Sequence, residues 1–214
     1  MTQVKLISFD MEGTLVKRSY SELIWETDIP KLYAETHGFD FEAAKKIVMT
    51  TYDTVRDDEP EWYNTDYWFK RLNLTGDWTD LLENRRKDCE AYPEASEVLT
   101  KLDEKYSLII SSNTIREFLE IQLTTLPNVF DHVYSAPSDF NTVKKAEEFY
   151  SVILSERNLK PEEVIHVGDS YKYDYEEARK KGITAYYLDW DNEMDGDYIV
   201  HSLTEFMEKV NNVT

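Results

Sequence analysis

The chain has 214 residues, 41% of them hydrophobic and 14% aromatic: enough for one large domain, or one domain with an insert, and too apolar for disorder. Its net charge of −19 makes nucleic acid and anionic membranes poor partners, so a site for an anionic substrate has to carry its own cations. The single cysteine, Cys89, excludes an internal disulfide framework and a cysteine-rich zinc site, and no apolar run approaches the length of a membrane span. Met1 leads almost directly into a strand, with no leader pattern, and a cytoplasmic location is expected.

The first predicted strand is 4–10, an apolar run that ends on Asp10. Residues 16–91 then lack strand patterning. Asp40 is placed to cap a helix with Phe41, Ala44, Val48, Thr51, Tyr52 and Val55 near one face, and two further helices are predicted over 66–74 and 77–87. The aromatic cluster Trp62, Tyr63, Tyr67, Trp68 and Phe69 reads as the core of this helical segment rather than a substrate platform. Further strands are predicted at 106–112, 132–136, 164–168 and 183–188. Between them, helices over 94–104, 115–123, 144–157 and 171–181 carry apolar faces; Ile115, Phe118, Leu119 and Gln122 share one of these. Gly182 is a candidate left-handed residue after the fourth, and 202–210 reads as a closing helix. The alternation predicts an α/β fold, a Rossmann-like parallel sheet core formed by residues 1–16 and 92–214 with an inserted α-helical cap over 17–91.

In open α/β sheets, ligands bind outside the carboxyl ends of the strands. Several chemical groups fall there. Asp10 can attack phosphorus. Glu12 follows two residues on, and Gly13-Thr14 form a turn. The second strand ends in Ser111-Ser112-Asn113, two hydroxyls and an amide. Lys144-Lys145 open a helical stretch, and Gly168-Asp169-Ser170 with Asp174 close the fourth strand. Turn chemistry and helix capping account for each group taken singly. Lys17 and Arg18 read as solvated hinge residues, with lining of the site mouth as the alternative, and His166 as a core or edge residue of its strand.

Together, and in this order, the four segments resemble the haloacid dehalogenase (HAD) superfamily of hydrolases, over residues 4–15 and roughly 92–190. One subgroup of that family carries a helical cap between its nucleophile and its Ser/Thr segment. The resemblance implies Mg²⁺-dependent hydrolysis of a small phosphomonoester through an aspartyl-phosphate on Asp10. It makes Glu12 the acid/base, in a place where most phosphatases of the family have Asp, and the residue 12 backbone carbonyl a metal ligand. Gly13 would let the backbone approach phosphate. The family pattern favours Ser112 over Ser111 for the phosphate, with the Asn113 N–H beside it. It favours Lys144 over Lys145, because Tyr150 follows Lys144 by six residues, although the usual Pro is absent. Asp169 would hold the metal, and Asp174 would act through water or orient Lys144. The partner implied is a small phosphorylated metabolite. A phosphomutase, a dehalogenase and a non-catalytic binding protein on the same scaffold are the alternatives. The sequence names neither the substrate nor the oligomeric state.

Overall fold

The computed structural model describes residues 3–144 and 147–213. Six strands form one sheet: β1 Leu6–Phe9, β2 Ser107–Ser112, β3 His132–Ser135, β4 Val164–Gly168, β5 Thr184–Leu188 and β6 Ile199–Val200. Their order is β3-β2-β1-β4-β5-β6, and every pairing is parallel. The strands are nearly continuous apolar runs because helices cover both faces; all four residues of β1 and all five of β4 are buried. From β1 the chain moves outward to β2 and β3, then crosses back to β4 and continues outward the other way. The reversal lies between β1 and β4, and a crevice opens at the carboxyl ends of two such strands. Phe9 pairs with Val167 in register, so Asp10 leaves the sheet opposite Gly168, one residue before Asp169. Five strands match the predicted ones to within two residues at each end; β6 was missed, since two residues, Ile199 and Val200, give no readable period.

The α-helices within residues 17–91 are α1 Ser19–Leu23, α2 Ile29–His37, α3 Phe41–Tyr52, α4 Thr65–Arg71 and α5 Thr79–Arg85. A π-helical stretch, Ile24–Asp28, joins α1 to α2. It explains why sequence periodicity did not reveal this helical run. Its buried residues are Tyr20, Ser21, Ile24, Ile29, Pro30 and Ala34, and the step of five from Ile24 to Ile29 breaks the spacing of three and four. Helix α3 follows the prediction: the Asp40 side chain accepts a hydrogen bond from the Ala43 N–H at 3.0 Å, and Ala44, Val48 and Tyr52 are buried. Phe41, placed on the same face by pattern, is 37% exposed instead.

The remaining helices are α6 Ala95–Asp103, α7 Arg116–Leu123, α8 Ala136–Phe140, α9 Glu147–Glu156, α10 Glu177–Lys180 and α11 Leu203–Val213. The helix predicted from Lys144 is described from Glu147; Lys145 lies outside the described residues, and Lys144 stands ahead of the helix in a turn. Gly182 does adopt the left-handed conformation, at φ 80°. On one face of the sheet, α11 buries Leu203, Phe206 and Val210 completely. On the other, Phe149, Tyr150 and Ile153 of α9 pack with Leu6, Ile109 and Val164. No helix among the described residues is long and apolar enough to cross a membrane.

Phe206 meets Phe9 edge-on at 5.7 Å and Tyr186 at 5.5 Å, so it ties α11 to two strands. Replacing it with Ala is expected to lower unfolding free energy by about 3–5 kcal/mol. Urea unfolding followed by circular dichroism measures this; a loss below about 1 kcal/mol would show that α11 is not part of the cooperative core.

Candidate active site

The loop after β1 is a tight coil. The N–H groups of Leu15 and Val16 both donate to the Met11 carbonyl, at 2.9 and 3.0 Å, and the Gly13 N–H donates to the Val16 carbonyl at 2.7 Å. Gly13 has φ +83°, and a Cβ there would lie 2.1 Å from Asp169 Oδ2. The glycine therefore clears space for Asp169. Its N–H is already committed within the turn. The Trp190 indole donates to the Gly13 carbonyl at 2.7 Å, and its ring stacks on Tyr92 at 4.2 Å. Outgoing and returning chains are tied by bonds from the Lys17 N–H to Glu90 and from the Tyr92 N–H to Leu15, each 2.9 Å.

Lys144 is the centre of the charges, with 2% exposure. Its Nζ donates to Asp10 Oδ1 at 2.6 Å and, by a very short contact, to Asp174 Oδ1. Its backbone N–H donates to Asn113 Oδ1 at 2.7 Å, which sets the lysine's approach from the β2 tip. Burial alone would lower the Lys144 pKa, but Asp10 and Asp174 together hold the ammonium well above its usual range. The same burial raises Asp10, with Lys144 opposing. For Asp174, burial is outweighed by Lys144 and His166, and its carboxyl lies below the usual range.

His166 is more than a core residue. It is fully buried, and its Nε2 lies 3.1 Å from Asp174 Oδ1 while Nδ1 lies 2.9 Å from Ser8 Oγ. Ser8 in turn bonds Ser111 at 2.8 Å. Ser111 is thus engaged inside the sheet, and Ser112, its neighbour, lines the cleft with Asn113. The other Asp174 oxygen accepts the Ser170 N–H at 2.9 Å.

Asp169 accepts from Arg18 through Nε at 3.1 Å and Nη2 at 2.5 Å. Arg18 therefore lines the site, the alternative to a solvated hinge; Lys17 pairs with Glu90 at 2.6 Å at the surface. Burial, then the charge of Asp10, lifts Asp169 to about 6 against the pull of Arg18. Asp10, Asp169 and Asp174 each offer a carboxylate oxygen, all within 4.8 Å of one another. Three hard oxygen donors converging on one small space fit a divalent cation such as Mg²⁺. The Glu12 carboxylate is not among these donors. It turns the other way, accepting from Ser21 Oγ by a very short bond and from Gln122 Nε2 at 2.8 Å. Burial raises Glu12 to about 7 although both hydrogen bonds oppose the rise. That is the range in which a carboxyl can both give and take a proton near neutrality.

These groups line a cleft of about 540 Å³ together with Trp25, Tyr52, Trp62, Tyr63 and Trp68. Trp68 and Phe69 are buried packing, and Trp62, Tyr63 and Trp68 also face the cleft. Sequence reasoning missed Ser21, Gln122, Trp190 and the part played by His166. Gln122 alone carried a local signal, an amide within an apolar helical face.

Residues 7–187 match the haloacid dehalogenase-like hydrolase family. A glyceraldehyde 3-phosphate phosphatase of Pyrococcus furiosus is 26% identical over 228 residues, covering 97% of this chain and 93% of the relative. The fold is that of a HAD phosphatase from Thermococcus onnurineus, with TM-score 0.85, 23% identity and coverage of 96% and 97% of the two chains. An L-2-haloacid dehalogenase from Xanthobacter autotrophicus shares it more distantly, at TM-score 0.65 and 17% identity over 99% of this chain and 100% of the other. The chain belongs to the haloacid dehalogenase-like hydrolases and is an enzyme of that family.

Proposed function

We propose that the protein is a Mg²⁺-dependent phosphatase that hydrolyses a small phosphomonoester through an aspartyl-phosphate on Asp10. The observation that carries this reading is the buried Lys144 ammonium, 2.6 Å from Asp10, beside a cluster of three carboxylates at the reversal point of the sheet. Mg²⁺ held by Asp10, Asp169 and Asp174, with the Glu12 backbone carbonyl, would neutralise charge on the phosphoryl oxygens.

Lys144 holds Asp10 Oδ1, which leaves Oδ2 to attack phosphorus. As the Oδ2–P bond forms, the bond from phosphorus to the substrate oxygen breaks, and that oxygen takes a proton from Glu12. Water then loses a proton to Glu12 as its oxygen attacks phosphorus, and the P–Oδ2 bond breaks to release inorganic phosphate. The Ser112 hydroxyl and the Asn113 N–H donate to the phosphoryl oxygens, and Lys144 balances the charge gathered on them.

Residues 17–91 act as a cap that shuts the cleft from bulk water. Three contacts support this role: Tyr63 with Asn113 at 3.4 Å, the Tyr173 hydroxyl to the Asp57 carbonyl at 3.0 Å, and Lys172 with Asp57 at 3.3 Å. A cleft of about 540 Å³ suits a small metabolite, and the named activity of the Pyrococcus relative makes glyceraldehyde 3-phosphate the first substrate to assay. A dehalogenase of the same fold has no use for a carboxyl two residues after its nucleophile or for a metal-binding cluster. Glu12 and Asp169 therefore favour phosphoryl transfer.

Asp10→Asn is expected to abolish hydrolysis of p-nitrophenyl phosphate while leaving the circular dichroism spectrum unchanged; a variant with the wild-type rate would refute the covalent route. Excess chelator is expected to remove activity and added Mg²⁺ to restore it. Asp169→Ala should weaken Mg²⁺ binding by calorimetry; full phosphatase activity under chelation would overturn the metal assignment.

A further inference from the structure

Glu12 is gripped from two sides, and each of its carboxylate oxygens has its own donor. Gln122 of α7 donates to Oε2 at 2.8 Å, and Ser21 of α1 donates to Oε1. Gln122 has no exposure, and Ser21 has 5%. The two helices are locked together nearby, where Phe118 of α7 meets Tyr20 at 5.9 Å and stacks on Trp25 at 6.0 Å. The grip therefore straddles the junction between the helical insertion and the α/β core.

Gln122 Oε1 has no hydrogen-bond partner among the described residues, an unfavourable state for a buried amide oxygen. Its neighbours Phe118, Leu119 and Ile121 are apolar, and a Met or Leu would fill the position without that cost. The only hydrogen bond described for the Gln122 side chain goes to Glu12. A Glu has one more rotatable bond than the Asp it replaces, so its carboxyl needs an outside hold to stay in one place. Two donors, one on each oxygen, fix the plane of the carboxyl as well as its position. An amide and a hydroxyl can also accept as well as donate. A half-turn of the Gln122 amide brings the unpartnered Oε1 to a carboxyl that carries a proton, which a Lys or Arg there could not do.

We infer that Gln122 and Ser21 are positioning residues that hold the Glu12 carboxyl for proton transfer to the leaving group and from the attacking water. The inference rests on the phosphatase reading and on the acid/base role of Glu12 within it. A purely structural Gln122 is the competing view, and the experiment separates the two.

The full-length protein with Mg²⁺ is compared with Gln122→Met and Ser21→Ala, each checked by thermal unfolding. The substrates are glycerol 1-phosphate, whose leaving oxygen needs a proton, and p-nitrophenyl phosphate, whose leaving group does not. On glycerol 1-phosphate, kcat is expected to fall about 10- to 100-fold, with KM little changed. On p-nitrophenyl phosphate, a stopped-flow burst of nitrophenolate at the wild-type rate should precede slow turnover, because attack by Asp10 survives and hydrolysis of the phosphoenzyme does not. Wild-type kcat in both variants, or an equal fold loss in burst and turnover, would overturn the inference. Glu12→Gln should show the same signature, and adding Gln122→Met to it should cost nothing further. Independent, multiplying losses would also overturn it. If Glu12→Gln is impaired while Gln122→Met and Ser21→Ala are not, this inference alone falls. If Glu12→Gln itself runs at the wild-type rate, the acid/base reading of Glu12 falls first.

Discussion

A buried ammonium makes the rest of the site tolerable. Asp10, Asp169 and Asp174 stand close together in a place that water barely reaches, within a chain whose net charge is already −19. Carboxylates so arranged repel one another and lose hydration, and both effects favour their neutral forms. Lys144 touches two of the three and Arg18 touches the third. The two cations differ in kind. Lys144 is sealed at 2% exposure and belongs to the fold, whereas the Arg18 side chain is 55% exposed and reaches in from the cleft mouth. The local cations that a strongly acidic protein requires for a phosphate site are these two.

What the sequence made legible follows from distance along the chain. Asp10 with Glu12, and Asp169 with Asp174, lie within a few residues of each other beside apolar runs, and a strand tip with its turn is a local signature. The five longer strands had the same advantage. Helix α1 and its continuation were hidden because the π-helical stretch shifts the buried face by a residue, so the step from Ile24 to Ile29 matches no regular template. Chemistry assembled through space was equally hidden. Ser21 reaches Glu12 across nine residues, Gln122 across 110, and Trp190 reaches Gly13 across 177. Nothing near those residues in sequence marks them, apart from the polar break that Gln122 makes in its apolar face. His166 looked like an ordinary strand residue because its strand is buried throughout; its polar partners are Ser8 of β1 and Asp174, eight residues further on.

Glu12 and Asp10 lie two residues apart and face different surroundings. Asp10 looks into the cluster of charges, and Glu12 looks toward a hydroxyl and an amide at the joint between insertion and core. The tight turn through Gly13 produces this divergence by turning the chain just past the strand tip. Burial raises both carboxyls, opposed at Asp10 by the Lys144 ammonium and at Glu12 by its two hydrogen bonds.

The order of the sheet has a consequence for how the molecule comes into being. β1 is made first, yet its neighbours are β2, about 100 residues later, and β4, nearly 160 later. The ammonium that neutralises Asp10 arrives 134 residues after it, and the indole that braces the Gly13 turn arrives 177 residues after that glycine. During synthesis the strand bearing Asp10 emerges before either neighbour and waits for both. Such long-range pairing is slow, since the entropy of closing long loops is lost before contacts repay it. The site therefore cannot build up gradually along the chain; it is completed late, when Lys144 and the segment through Trp190 close over Asp10 and its turn.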